Sequence, residues 1–293
     1  MTPSLAGRFR MMSFVVLMCL TTASWAGTPG QATPTSTLSL RGDYALGGFG
    51  QEQETTKVTT TEYETGWTLD GPYFLRSADP VEPGEKELKF IYAYEKEEDD
   101  EEHELEFVFE WGVMENLEFI FEIPAVIGDG RVEGNGDIQQ IGFHVKHWSE
   151  DGWMPAFATR HLVRLPTGYH SDGVDYLGRG LLTWTLVPDK LRLEFNPWLK
   201  SVNGNREDDT RWFQWGAAVG FDFQCCENWI FIADYHNRSS EEFGSRNQQT
   251  IELGADWEFA EDQILAFATE FEVDGDENGS DFVARISYIL ELH

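Results

Sequence analysis

The side chains of this 293-residue chain that could do chemistry are mostly carboxylates, and they recur at even spacing. Glu106 and Glu110 form one such set, Glu118 and Glu122 a second, Glu252 and Asp256 a third, and Glu270 and Glu272 a fourth. Glu194, Asp222 and Asp234 hold comparable places in their own segments. Side chains alternate across an extended strand, so residues two or four apart share a face. Arg160, Arg164, Arg192 and Arg285 fall on the same faces as these acids. If that face encloses a water-filled path, its carboxylates favour cations, and arginines across from them add a transverse field that selects polar solutes. If the strands merely lie side by side, the same residues make a structural ladder of cross-strand ion pairs.

Other chemistry finds less support. Acids are too numerous for a glycosidase pair to stand out. There is no G-x-S-x-G, and Ser239, Ser245 and Ser287 remain open as nucleophiles only if a histidine and an acid converge on one of them. His144 and His147, in the run H-V-K-H, fall on opposite strand faces and do not readily share a metal ion. No catalytic residue, resident metal or cofactor is expected. Of two acidic runs, Glu97–Glu102 and Asp274–Gly279, the first reads foremost as a solvated charge run, and loose binding of divalent cations in both is the alternative; the second lacks the full ligand series of a calcium loop. A net charge of −31 makes nucleic acid an unsuitable partner, since phosphates need a basic face.

The elements that carry these residues are strands. The clearest is a hairpin, Phe213–Tyr235. Its first arm puts Phe213, Trp215, Ala217, Val219, Phe221 and Phe223 on one face, and Gln214, Gly216, Ala218, Gly220 and Asp222 on the other. No helix places six apolar residues at spacing two. From Glu85 onward the pattern hardly stops. Leu88, Phe90, Tyr92 and Tyr94 alternate with Lys89, Ile91, Ala93 and Glu95, and outside the hairpin nine similar runs follow, the last from Phe282 to Glu291. Twelve strands are expected over 85–293.

The connections sort by length. Long ones run Lys96–His103, Ala125–Asn135, Pro166–Leu177, Val202–Asp209, Arg238–Ser245 and Asp274–Gly279. Short ones centre on Met114–Asn116, Ser149–Gly152, Pro188–Lys190, Cys225–Asn228 and Ala260–Asp262. This alternation, with an even strand number, is that of an up-and-down antiparallel transmembrane β-barrel with short periplasmic turns and longer external loops. Tryptophans near strand ends, among them Trp111, Trp184, Trp229 and Trp257, suit interfacial girdles. The competing architecture is a soluble exported β-sandwich that binds glycans through exposed aromatics. It would pack the aromatic faces into one core between two sheets.

Ahead of the strands, Arg8 and Arg10, the apolar run Met11–Leu20 and Ser24-Trp25-Ala26 make residues 1–26 an export signal peptide. Residues 27–84, rich in Gly, Thr, Pro, Ser and Gln, read as a flexible or loosely packed segment. A solvated tail is the favoured form of that segment and a plug at a barrel mouth the other. Beyond the signal only Cys225 and Cys226 remain, so there is no disulfide framework.

Several stretches carry a family resemblance: P-G-E-K-E-L-K-F from Pro83, W-G-V-M-E-N-L-E-F-I-F-E-I-P-A-V-I-G from Trp111, G-N-G-D-I-Q-Q-I-G-F-H-V-K-H-W from Gly134, and M-P-A-F-A-T-R-H-L-V-R-L-P-T-G from Met154. From Pro83 on, the chain resembles the outer-membrane channel family named after the meta-pathway of phenol degradation. The resemblance implies a barrel in the outer membrane that passes small, aromatic or otherwise neutral solutes, and it brings no catalytic residues. The expected partners are the lipid bilayer and a small solute. With its excess of acids, the enclosed face is expected to prefer cations or neutral solutes to anions. A barrel enzyme is the remaining alternative.

Overall fold

A strand that is apolar on one side and polar on the other needs two different surroundings, and a sheet closed into a tube supplies them. In the computed structural model, which describes residues 73–96, 101–127, 135–203, 210–275 and 282–293, twelve antiparallel strands close in chain order into one barrel. They are β1 (Lys86–Lys96), β2 (Glu101–Met114), β3 (Leu117–Ile127), β4 (Ile138–Trp148), β5 (Ala156–Leu165), β6 (Asp175–Val187), β7 (Leu191–Ser201), β8 (Phe213–Cys226), β9 (Trp229–Arg238), β10 (Gln248–Ala260), β11 (Gln263–Asp274) and β12 (Phe282–Leu292). Each pairs with its neighbours in sequence, and β1 closes on β12 along the whole register from Lys86↔Leu292 to Lys96↔Phe282. Closure leaves no free sheet edge. It also excludes the two-sheet sandwich.

The faces divide as the alternation requires. Phe90, Leu105, Phe143, Leu199, Phe221, Phe231, Leu253 and Phe271 point outward and are exposed, whereas Lys89, Glu110, Glu194, Asp222 and Glu252 point inward and are buried. Among the described residues no helix is long and apolar enough to cross a membrane; crossing by strands is a separate matter. At one end the strands are joined by tight turns, and there the outer surface carries Trp111, Trp148, Trp153, Trp184, Trp229 and Trp257. Trp229 and Trp257 stack at 5.6 Å with an interplanar angle of 9°. Trp148, whose position in the alternation suggests the interior, turns outward after a break in the β4–β5 register and packs on Phe157 at 4.7 Å.

At the other end the long connections gather. The first is shorter than the sequence suggests, because β2 begins at Glu101 and puts Glu101 opposite Lys96 and Glu102 opposite Glu95. Residues 97–100 and 276–281, which hold most of the two acidic runs, lie outside the described residues, as do residues 1–72.

The barrel is not hollow. Residues 73–81 run inside it, with Tyr73, Leu75, Ala78 and Val81 buried, and Glu82, Pro83 and Gly84 are exposed. Tyr73 and Leu75 pack on Ala218, Ile232, Ala266, Ala268 and Ile289 of β8–β12, and Ala78 packs on Ala156, Ala158 and Leu181 of β5 and β6. Small residues on these walls leave room for the inserted chain. At Gly112 the fit is tightest: a Cβ there would stand 1.9 Å from the Glu82 carbonyl oxygen. The chain leaves past this glycine, where Gly84 N donates to Gly112 O (2.7 Å) and Gly112 N to Glu85 O (3.0 Å), and continues into β1. The sequence reads 27–84 as loose; its described end is packed, because its apolar residues find interior partners that no local pattern reveals.

Candidate functional site

An extended segment inside a barrel has no neighbouring strand to satisfy its backbone, and an unpaired buried amide is costly. Here inward side chains take that part. Glu252 Oε1 accepts from Phe74 N (3.0 Å), Asn196 Oδ1 from Arg76 N (2.6 Å), Thr183 Oγ1 from Ala78 N (2.8 Å) and Glu118 Oε2 from Val81 N (3.1 Å). On the carbonyl side, Asn196 Nδ2 donates to Arg76 O (3.0 Å) and Arg179 Nη1 to Phe74 O (3.1 Å). The Asn196 amide therefore faces Arg76 as an adjacent strand would. Lys146 Nζ reaches Asp79 at 2.6 Å.

The inward acids and arginines sort into four groups. On β1–β5, Glu110 accepts from both Lys89 and Arg160 (2.7 Å to the latter), Glu118 lies 3.8 Å from Arg160 and 3.3 Å from His144 Nδ1, and Glu87 is 2.9 Å from Lys89. On β7–β8, Arg192 Nε donates to Asp222 (2.8 Å) and stands 3.7 Å from Glu194, which accepts from Thr183 (2.7 Å). On β9–β12, Asp234, Glu252 and Glu270 sit directly across from one another in register, and Arg285 bridges the last two at 3.1 Å each. At the long-loop end Arg164 binds Asp137 and Asp175, the latter at 2.8 Å.

The remaining candidates also face inward. Glu106 and Glu122 stand diagonally on β2 and β3. Asp256 accepts from Tyr73 OH at 2.6 Å, and Glu272 from Gln248 at 2.8 Å. The structure thus brings the expected residues to one enclosed surface but divides them among local ion-pair groups instead of one continuous row.

Several residues that matter here carry no clear mark in the sequence. Phe74 lies between two cations and an imidazole: its ring is 5.4 Å from the Arg285 guanidinium, 5.8 Å from that of Arg238 and 4.3 Å from the His236 ring. A cation over an aromatic face is attracted by the ring quadrupole. Trp198 points inward and donates to His236 (3.2 Å). The only hint was the apolar island Tyr73-Phe74-Leu75 in a polar stretch.

Asp137, just before β4, is buried, and burial works to raise its pKa. Hydrogen bonds from Ser171 (2.7 Å), Gly168 N (2.8 Å) and Arg164 outweigh that and hold the carboxyl below its usual range. These bonds tie the 166–174 connection across the long-loop end. His144 is interior, whereas His147 points outward to Thr159 (2.8 Å). Ser239 accepts and Ser245 donates in loop hydrogen bonds, with Trp215 N and Glu242 respectively; no described hydrogen bond joins Ser239, Ser245 or Ser287 to a histidine.

No family model matches the chain, and no curated protein does. Among solved structures the fold recurs. The NanC porin superposes with a TM-score of 0.55 at 12% identity, covering 70% of this chain and all of that one. The COG4313 outer membrane channel from Pseudomonas putida F1 gives 0.54 at 10% identity, covering 73% of this chain and 98% of that one. At such identities the likeness is one of fold.

Proposed function

We propose that this protein is an outer-membrane channel for small solutes, closed at rest by its own residues 73–81. The outward aromatic surface with its tryptophan belt meets the lipid bilayer, the short turns face the periplasm and the long connections face outside. The resemblance to the phenol-pathway channel family and the likeness in fold to two channel-forming barrels support this reading. The observation that carries it is the occupied bore. Inward side chains supply hydrogen bonds to a peptide that is not part of the barrel wall, so the interior is built to hold polar and aromatic groups and not only to stiffen a tube.

What the inserted chain displays indicates the solute class. Phe74 fills an aromatic place flanked by Arg238, Arg285 and His236, and the Tyr73 hydroxyl is held by Asp256. A small aromatic solute bearing a hydroxyl or another hydrogen-bond donor satisfies both places once the segment withdraws. The wall's excess of carboxylates disfavours anions.

Conductance in planar bilayers tests the reading. The wild type is expected to conduct poorly, and the double variant Tyr73→Ser with Phe74→Ser severalfold better, with a cation-selective reversal potential in asymmetric KCl. Two folded proteins with equal conductance, or chloride selectivity in the variant, would contradict it.

A further inference from the structure

At the short-turn end, beside the β1–β12 seam, three stretches of chain converge. Glu85 leads into β1, Asp262 lies in the β10–β11 turn, Glu291 is near the end of β12 and His293 follows it. The backbone fixes the approach. Asp262 sits in the left-handed region with φ 61°, and its carbonyl accepts from Glu291 N at 3.0 Å. One side-chain ligand atom each from Asp262, Glu291 and His293 lies within 4.8 Å of the others. His293 Nε2 is 2.9 Å from Asp262 Oδ1, and its Nδ1 is 2.6 Å from Glu85 Oε1.

The imidazole is the discriminating member. Two carboxylates alone would be an ordinary exposed acidic patch. Here one ring nitrogen stands against Asp262 with Glu291 close by, and the other nitrogen is held by a third carboxylate, Glu85. That is the outer-shell arrangement by which metal-bound histidines are oriented: a carboxylate takes the Nδ1 proton and leaves Nε2 to the ion. One nitrogen and two carboxylate oxygens, with a place left for water, suit a zinc-type ion. Calcium and magnesium prefer all-oxygen sets of higher number. Two carboxylates also balance a divalent charge.

We propose that Asp262, Glu291 and His293 bind a divalent transition-metal ion of the zinc type, with Glu85 orienting the imidazole. The bound ion would fasten the end of β12 to the β10–β11 turn and, through Glu85, to the chain where it enters β1. This site is at the opposite end of the strands from Glu102 and Asp274 and is independent of whether the bore conducts.

Calorimetric titration with zinc chloride tests it, using the full untagged chain in detergent micelles with millimolar calcium present to saturate diffuse acidic sites. One zinc per chain is expected. His293→Gln should abolish that event, and Glu85→Gln should weaken it about tenfold without changing the stoichiometry. Heat-modifiable gel migration shows that each variant is folded. No zinc uptake by the wild type, or equal titrations of wild type and His293→Gln, would overturn the site. Unchanged affinity in Glu85→Gln would overturn the orienting role.

Discussion

Two sectors of the interior wall use the same residue types to different ends. On β1–β5, Glu87, Lys89, Glu110, Arg160, Glu118 and His144 face mainly one another, and the inserted chain meets them through one backbone bond, Val81 N to Glu118. On β9–β12, Arg285 bridges Glu252 and Glu270 and also lies over the Phe74 ring, while Asp234 stands across from Glu252 with no ion pair to that guanidinium. The first sector has redundant pairing: Glu110 has two cations, and Glu118 has His144 beside it. In the second, Arg285 alone pairs with Glu252 and Glu270 among the described residues, Asp234 adds a third acid beside them, and Glu252 and Arg285 also hold the plug. Redundant pairing makes a wall, and deficient pairing makes a site, because unspent hydrogen-bonding capacity is what a ligand can use.

Removing the cation from each sector probes this difference most strongly. Arg285→Met leaves Glu252 and Glu270 without their partner, and losing one side of a buried pair costs about 3 kcal/mol or more. Arg160→Met should cost less, about 1–2 kcal/mol, since Lys89 still reaches Glu110. Urea unfolding in lipid vesicles measures both, and equal losses would erase the distinction.

A smaller effect is expected at the plug. Tyr73→Phe removes the hydroxyl that binds Asp256 and should cost about 1 kcal/mol. It should also raise the open fraction in single-channel records while leaving the barrel folded. An unchanged open fraction would show that the Tyr73 end does not hold the segment closed.

The smallest effect lies at the long-loop end. The Asp137 carboxyl is held below its usual range, so it adds stability that is fully present above the ordinary carboxylate pKa. That stability is lost as pH falls through the lower folded value. Asp137→Asn should therefore melt a few degrees lower than wild type at neutral pH, with the gap closing as pH falls below the ordinary carboxylate range. A gap that stays constant with pH would assign the effect to packing and not to charge.

Much of the architecture was legible because a strand advertises its two faces locally. Phe213–Phe223 against Gln214–Asp222 needs no partner to be read, and the sorting of turns from long connections follows along the chain. Inward direction was legible strand by strand, as for Glu110, Glu194, Asp222 and Glu252, since alternation alone settles which side of a strand a residue takes. Trp148 escaped that rule because the register breaks beside it.

What the sequence could not settle was which charges meet and what fills the space between them. That Glu110 faces Arg160, fifty positions away, follows from strand order and stagger around a closed tube. That Tyr73, Leu75 and Ala78 are buried follows from a bore wide enough to admit a chain and lined with small residues where it passes. Side-chain direction is a property of neighbouring residues, so the one-dimensional pattern holds it. Charge pairing and occupancy depend on residues brought together by closure, and these only the tertiary structure decides.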